Sequence, residues 1–242
     1  MSIPFSESTN NSGIVEQTRS LMRADSTQWA TAKIVNSSNN YLDLVTGYAI
    51  GADNRFDWDD TNHTKLPIGT TNIVANQKDY SFLTDEQGNS IITLLRIDIL
   101  GTDGIYSPLT LIHKDDIKDI AIDEYQKVAG IPTEYMKLGD NIIRLFPKPS
   151  ASVTAGLQFY FQRTGSYFTV IDTTKSPGVS PLLHRGFVIA SAYDGALTLG
   201  LPNLSALAVE KQMEERKMIK YFSVRNEDAN LNTFSGEVIN SI

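Results

Sequence analysis

Apolar and polar positions change period twice along the chain. Near the start, Ile14, Thr18, Leu21 and Met22 recur at helical spacing and predict a short first helix. Ala30, Ile34, Ser37, Tyr41, Leu44 and Tyr48 then step by three or four residues and predict a long second one. Asp25–Ser26–Thr27–Gln28 precedes it with the spacing of a capping box, in which the Asp carboxylate and the Gln side chain each accept a backbone N–H. The polar run Asn36–Asn40 works against helix, because Asn and Ser side chains compete for backbone hydrogen bonds. Gly51 is placed as the C-cap.

From Arg55 to about Thr174 the pattern is one of strands and turns. Ser90–Leu100 is rich in Ile and Leu between Gly88–Asn89 and Gly101, and Tyr106–Ile112 and Ile142–Phe146 are shorter runs. Val153–Gln162 alternates in part and ends on Phe159, Tyr160 and Phe161. Gly139–Asp140–Asn141 reads as a hairpin turn of residues that tolerate positive φ. Pro147 and Pro149 end the strand before them, since proline cannot donate to a ladder. One helix is predicted inside this region, from the stripe Ile117, Ile120, Ala121, Tyr125 and Val128.

Helical spacing then returns. Ser180–Pro181 is an N-cap followed by proline at the first helical position, and Phe187, Ala190, Tyr193 and Leu197 follow it up to Gly200. Leu201–Pro202–Asn203 opens a last helix carrying Leu204, Leu207, Ala208, Met218 and Phe222. Lys211–Glu215 and Glu214–Lys217 are spaced to pair on its solvated side. The pattern fades after Arg225. The expected fold class is therefore α+β, a helical bundle formed by N- and C-terminal helices with an inserted β-sandwich or barrel-like domain. The expected divisions are 1–54 for the first helices, 55–176 for the β-rich insertion, 177–226 for the last helices and 227–242 for an extended tail.

Composition adds constraints. The 242 residues suffice for one large or two small cores, and the absence of cysteine removes disulfides and thiolate metal ligands. No basic leader with an apolar run opens the sequence, and no apolar run approaches the roughly 18 residues that span a bilayer, so a soluble protein is expected. A net charge of −7 argues against tight phosphate binding, which draws on Lys and Arg.

Little in the chain points to catalysis. Asp57–Trp58–Asp59–Asp60 starts like a calcium loop, but glycine and glutamate are missing where Asn62 and Ile68 stand, so an acidic turn is expected instead. His63, His113 and His184 are far apart, each without a second ligand at metal spacing. Neither a nucleophile elbow nor a phosphate loop is present; Gly101–Thr102–Asp103–Gly104 lacks the Lys-Ser/Thr partner. No catalytic residue, cofactor site or metal site is assigned. A hydrolase would need His113 or His184 beside a carboxylate and a nucleophile.

Several blocks stand in a telling order. Phe56–Asp57–Trp58–Asp59–Asp60 is followed by Leu66–Pro67–Ile68–Gly69 and by Asn76–Gln77–Lys78–Asp79–Tyr80. Then come Gly130–Ile131–Pro132 leading to Tyr135, the Pro147/Pro149 strand exit, and Ser180–Pro181 with His184. This order resembles the head-to-tail adaptor (connector) proteins of tailed bacteriophages, the family that includes tail tubular protein A. The resemblance implies a structural virion protein of the neck, assembled in the host cytoplasm. It implies a homo-oligomeric ring, typically a dodecamer, that docks below the portal protein and joins it to a tail nozzle or tail-tube protein. Double-stranded DNA would pass through without sequence-specific binding during ejection; no membrane, enzyme activity or cofactor is implied.

On the same reading the C-terminal helix and tail dock on the portal. The candidate docking residues are Arg216, Lys217, Lys220 and Arg225, with Leu231, Phe234, Val238, Ile239 and Ile242 as apolar anchors. The plain alternative for the basic run is a solvated helix face. A rival function is a virion carbohydrate- or receptor-binding β module, with Tyr80, Phe82, Tyr106, Tyr160 and Tyr167 as a stacking platform.

Overall fold

A computed structural model of the full chain describes residues 2–51, 68–113, 115 and 128–231, the last of these from 224 onward as backbone only. The acidic turn at 57–62 and the stripe from Ile117 to Tyr125 lie outside the described residues, as does everything after Leu231. The protein is α+β and divides into two compact units, residues 1–65 with 165–242 and residues 66–164.

The first unit holds four helices among the described residues: α1 (Ile14–Met22), α2 (Thr31–Gly51), α3 (His184–Leu199) and α4 (Leu204–Leu231). Helix α3 is central, and α1, α2 and α4 all pack on it. It can be so because its sequence is apolar and small all round, burying Phe187, Val188, Ile189, Ala190, Ser191, Ala192 and Ala196. Gly186 and Gly195 let neighbours approach closely. A Cβ at Gly186 would lie 2.1 Å from the Tyr41 hydroxyl, and one at Gly195 would lie 2.2 Å from the Met22 methyl.

The Asp25 capping box forms, but it closes a turn and not the helix. Asp25 Oδ1 accepts from the Thr27 and Gln28 N–H groups, and Gln28 Oε1 accepts from Asp25 N–H. Trp29, almost fully buried, follows this turn, and α2 begins only at Thr31. The buried face of α2 is also offset from the expected stripe. Ile34, Ser38, Tyr41, Leu42, Val45 and Ala49 are inside, whereas Ala30, Leu44 and Tyr48 are exposed. The polar run stays helical because tertiary partners take up its side chains. Ser38 Oγ meets Ser191 Oγ at 3.2 Å, and the Asn39 amide bonds both the N–H (2.8 Å) and the C=O (3.0 Å) of Phe168.

Those bonds also move a boundary. Residues 165–176, expected in the β insertion, belong to the helical unit. Phe168 stacks on fully buried Phe5 with ring centroids 4.8 Å apart, and Phe5 and Ser6 donate backbone N–H groups to Lys175 and Thr173 carbonyls. The chain therefore returns from the strands along a segment pinned by its own N-terminal residues.

At the other end, Pro181–Leu183 form one 3-10 turn before α3, with no side-chain cap from Ser180. Helix α4 continues through 227–231, where an extended tail was expected. The stretch from Asn226 to Leu231 contains neither Gly nor Pro, so nothing in it stops a helix already under way.

The second unit contains two four-stranded sheets. One has the order β1 (Ile68–Ile73), β8 (Val153–Arg163), β3 (Ile91–Leu100), β4 (Tyr106–Pro108), all antiparallel. The other has the order β2 (Asp79–Ser81), β7 (Ile142–Phe146), β6 (Glu134–Gly139), β5 (Thr110–Leu111), with β5 and β6 parallel. Both contribute to one core that includes Leu94, Ile97, Leu157, Phe159 and Phe161 from the first and Tyr80, Tyr135, Ile143 and Leu145 from the second. Alternation along β8 and β7 puts Gln158, Tyr160 and Arg144 on the opposite faces. Among the described strands each sheet is open, so the barrel alternative is not formed. The β6–β7 hairpin turns at Asp140–Asn141 as expected, yet none of Gly139, Asp140 and Asn141 has positive φ; a register shift between Lys137 and Gly139 accommodates the turn instead.

Among the described residues of this unit, Arg163 and Asp85 form a buried ion pair. Arg163 Nη1 donates to Asp85 Oδ2, and the two side chains are 4% and 8% exposed. Burial alone would raise the Asp85 pKa. Hydrogen bonds from the Asn89 side chain and backbone, together with Arg163, outweigh it and hold the carboxyl below its ordinary value.

Candidate functional site

The C-terminal candidates lie on α4, and the geometry of that helix sorts them. Leu207, Met218 and Phe222 are buried in the helical core and fix which side of α4 faces inward. The three acids of the helix whose side chains are described are engaged. Glu215 pairs with Lys211 at 3.1 Å and Glu214 with Lys217 at 3.3 Å, the two pairs expected from spacing, and Glu210 reaches Arg185 of α3 at 3.6 Å. Lys211 Nζ also sits 5.2 Å from the Tyr193 ring centroid, which ties this edge of α4 to α3.

Arg216, Lys217 and Lys220 are all exposed. Lys217 has Glu214 as its counter-charge, whereas neither Arg216 nor Lys220 has an acidic partner within ion-pair distance among the described residues. Arg225 and Leu231 fall within the α4 backbone, in the part whose side chains are not described. Phe234, Val238, Ile239 and Ile242 lie outside the described residues.

Two residues not singled out from the sequence join this surface. Val209 is 58% exposed and Met213 is 63% exposed. At about 3.6 residues per turn, Val209, Met213, Arg216 and Lys220 occupy one stripe, opposite the line through Leu207, Met218 and Phe222. The signal was available as a second, weaker helical repeat out of phase with the first, masked by the charges around it.

The other candidates disperse. His184 is 1% exposed; its Nδ1 accepts the Ile3 backbone N–H and its Nε2 donates to the Val179 carbonyl, both at 3.0 Å. His113 is exposed in the other unit, and His63 lies outside the described residues. No group of three or more His, Cys, Asp or Glu among the described residues could hold a metal ion. No helix among them is long and apolar enough to cross a membrane.

The five aromatics of the rival carbohydrate platform do not form one exposed face. Tyr80 and Phe82 are in the β core at 6% and 7% exposure, with Phe82 packed on Phe159. Tyr106 and Tyr160 are half-buried, the first donating its hydroxyl to Ala155 O and the second lying under the Arg96 guanidinium. Tyr167 belongs to the helical unit, where its hydroxyl donates to Asp43.

No protein-family model matches the chain, and no curated protein is significantly similar to it.

Proposed function

We propose that this protein is a structural virion component, a head-to-tail adaptor whose ring docks below a phage portal, links it to the tail and lines the DNA passage. On this reading the four helices are a bundle closed by both chain ends, and the two sheets are a sandwich inserted into it. The observation that carries the proposal is that division of labour. Residues from both ends of the sequence share one helical core, and a separately cored β unit is spliced between them. A part built so can hold its position in a ring with one unit while the other meets a second partner. The ordered blocks from Phe56 to His184 add the family resemblance, and the exposed cations of α4 supply the docking surface.

The test is to mix purified protein with its cognate portal and image the product by electron microscopy, alongside a variant lacking residues 232–242. An axial ring stacked on the portal is expected. Loss of the ring in the truncation assigns docking to the residues after α4, and survival assigns it to α4 itself. No complex with a competent portal would overturn the adaptor reading.

A further inference from the structure

The stripe on α4 specifies what kind of surface would cover it. It is apolar at one end, through Val209 and Met213, and cationic at the other, through Arg216 and Lys220. The cations are one helical turn apart with no acid between them, a like-charge spacing that disfavours a helix. Among the acids of α4 whose side chains are described, Glu210, Glu214 and Glu215 are turned to Arg185, Lys217 and Lys211 instead. Residues 216–225 contain four cations and no acid in a chain whose net charge is −7. Among the described residues, then, no acid neutralises this cationic site.

We propose that this stripe receives an acidic amphipathic helix of a partner protein, with two carboxylates one turn apart set against Arg216 and Lys220 and apolar side chains set against Met213 and Val209. This rests on the docking reading of α4 and names the partner's chemistry. From Val209 to Lys220 the stripe is about 16 Å long, the reach of three helical turns laid alongside it. A planar carboxylate suits the Arg216 guanidinium, which donates in parallel pairs. The apolar end separates this partner from a nucleic acid, since a phosphate backbone offers Val209 and Met213 nothing to bury against. An exposed methionine is a suitable apolar contact because its unbranched thioether adapts to the incoming surface.

The probe is a labelled helical peptide with two glutamates one turn apart followed by two leucines on the same face, titrated into the full-length protein. A control peptide carries the same residues on opposite faces, and a short DNA duplex is run in parallel. Binding of the first peptide is expected to weaken at least about tenfold in Arg216→Glu/Lys220→Glu and less than about twofold in Lys217→Glu. Met213→Ser is expected to lose about threefold or more, and added salt is expected to weaken binding. Absence of peptide binding would overturn the proposal. So would equal binding by the charge-reversed protein, or a duplex that binds more tightly than the peptide through the same two cations. Portal mixing with Arg216→Glu/Lys220→Glu separates this from the adaptor reading. A ring that still forms, with peptide binding lost, keeps the acidic-helix partner and removes the portal as that partner.

Discussion

Ile3 and His184 stand 181 residues apart in sequence and share a hydrogen bond of 3.0 Å, from the Ile3 backbone N–H to His184 Nδ1. The same ring donates from Nε2 to Val179 O, so one imidazole in a single tautomer joins the N-terminal segment to the loop that enters α3. Ser2, Phe5 and Ser6 reinforce the connection through Ser176, Lys175 and Thr173. A histidine that opens a helix thereby becomes a fastener between the N-terminal segment and the entry to α3.

Replacing that ring leaves two backbone groups short of a partner in a buried place. His184→Ala is expected to cost about 2–4 kcal/mol, from two unmade hydrogen bonds and the cavity left behind. Denaturant unfolding measures the loss, and hydrogen exchange at the Ile3 amide localises it. An Ile3 amide as protected in the variant as in the parent would contradict the assigned bond.

Close approach at α3 predicts an order between two similar substitutions. Gly186→Ala meets the Tyr41 ring, which is held by burial and by an edge contact with Phe187 at 4.9 Å. Gly195→Ala meets the flexible end of Met22. Gly186→Ala is expected to destabilise by about 1–3 kcal/mol and Gly195→Ala by less, since Met22 can repack and the Tyr41 ring cannot. Comparing the two denaturation midpoints tests the order.

The Asn39 amide makes two bonds to Phe168, and these hold residues 165–179 against α2. Asn39→Ala is expected to cost about 1–2 kcal/mol and to expose this loop to limited proteolysis. Cleavage mapped between Gly165 and Val179 in the variant, and not in the parent, is the anticipated result.

The Asp85–Arg163 pair gives the β unit an acid dependence with a definite sign. The Asp85 carboxyl is held below its ordinary value of 3.8, so its contribution is complete above that pH and is lost as pH falls from there through the lower folded value. Asp85→Asn is expected to flatten that window. At neutral pH it is expected to cost about 3 kcal/mol or more, because it leaves Arg163 charged and buried. Hydrogen exchange of the β3 and β8 amides, followed from neutral to acid pH, reads this unit separately from the helices.

The sequence by itself determined the class and the order of elements. Periods of 3.6 and 2 residues place α1, α3, β3, β7 and β8 close to where they form, because each buries one repeated face. It also determined the Lys211–Glu215 and Glu214–Lys217 pairs, which depend only on the local geometry of one helix. Tertiary structure decided the rest. Whether Asn39 breaks a helix or anchors a loop depends on Phe168, 129 residues away. The inward face of α2 moved from Leu44 and Tyr48 to Leu42 and Val45 because the position of α3, not the helix's own pattern, selects which stripe is buried. The stripe on α4 was hidden for the same reason. An apolar residue is a core residue or a contact surface according to what packs against it, and that is a property of the folded chain.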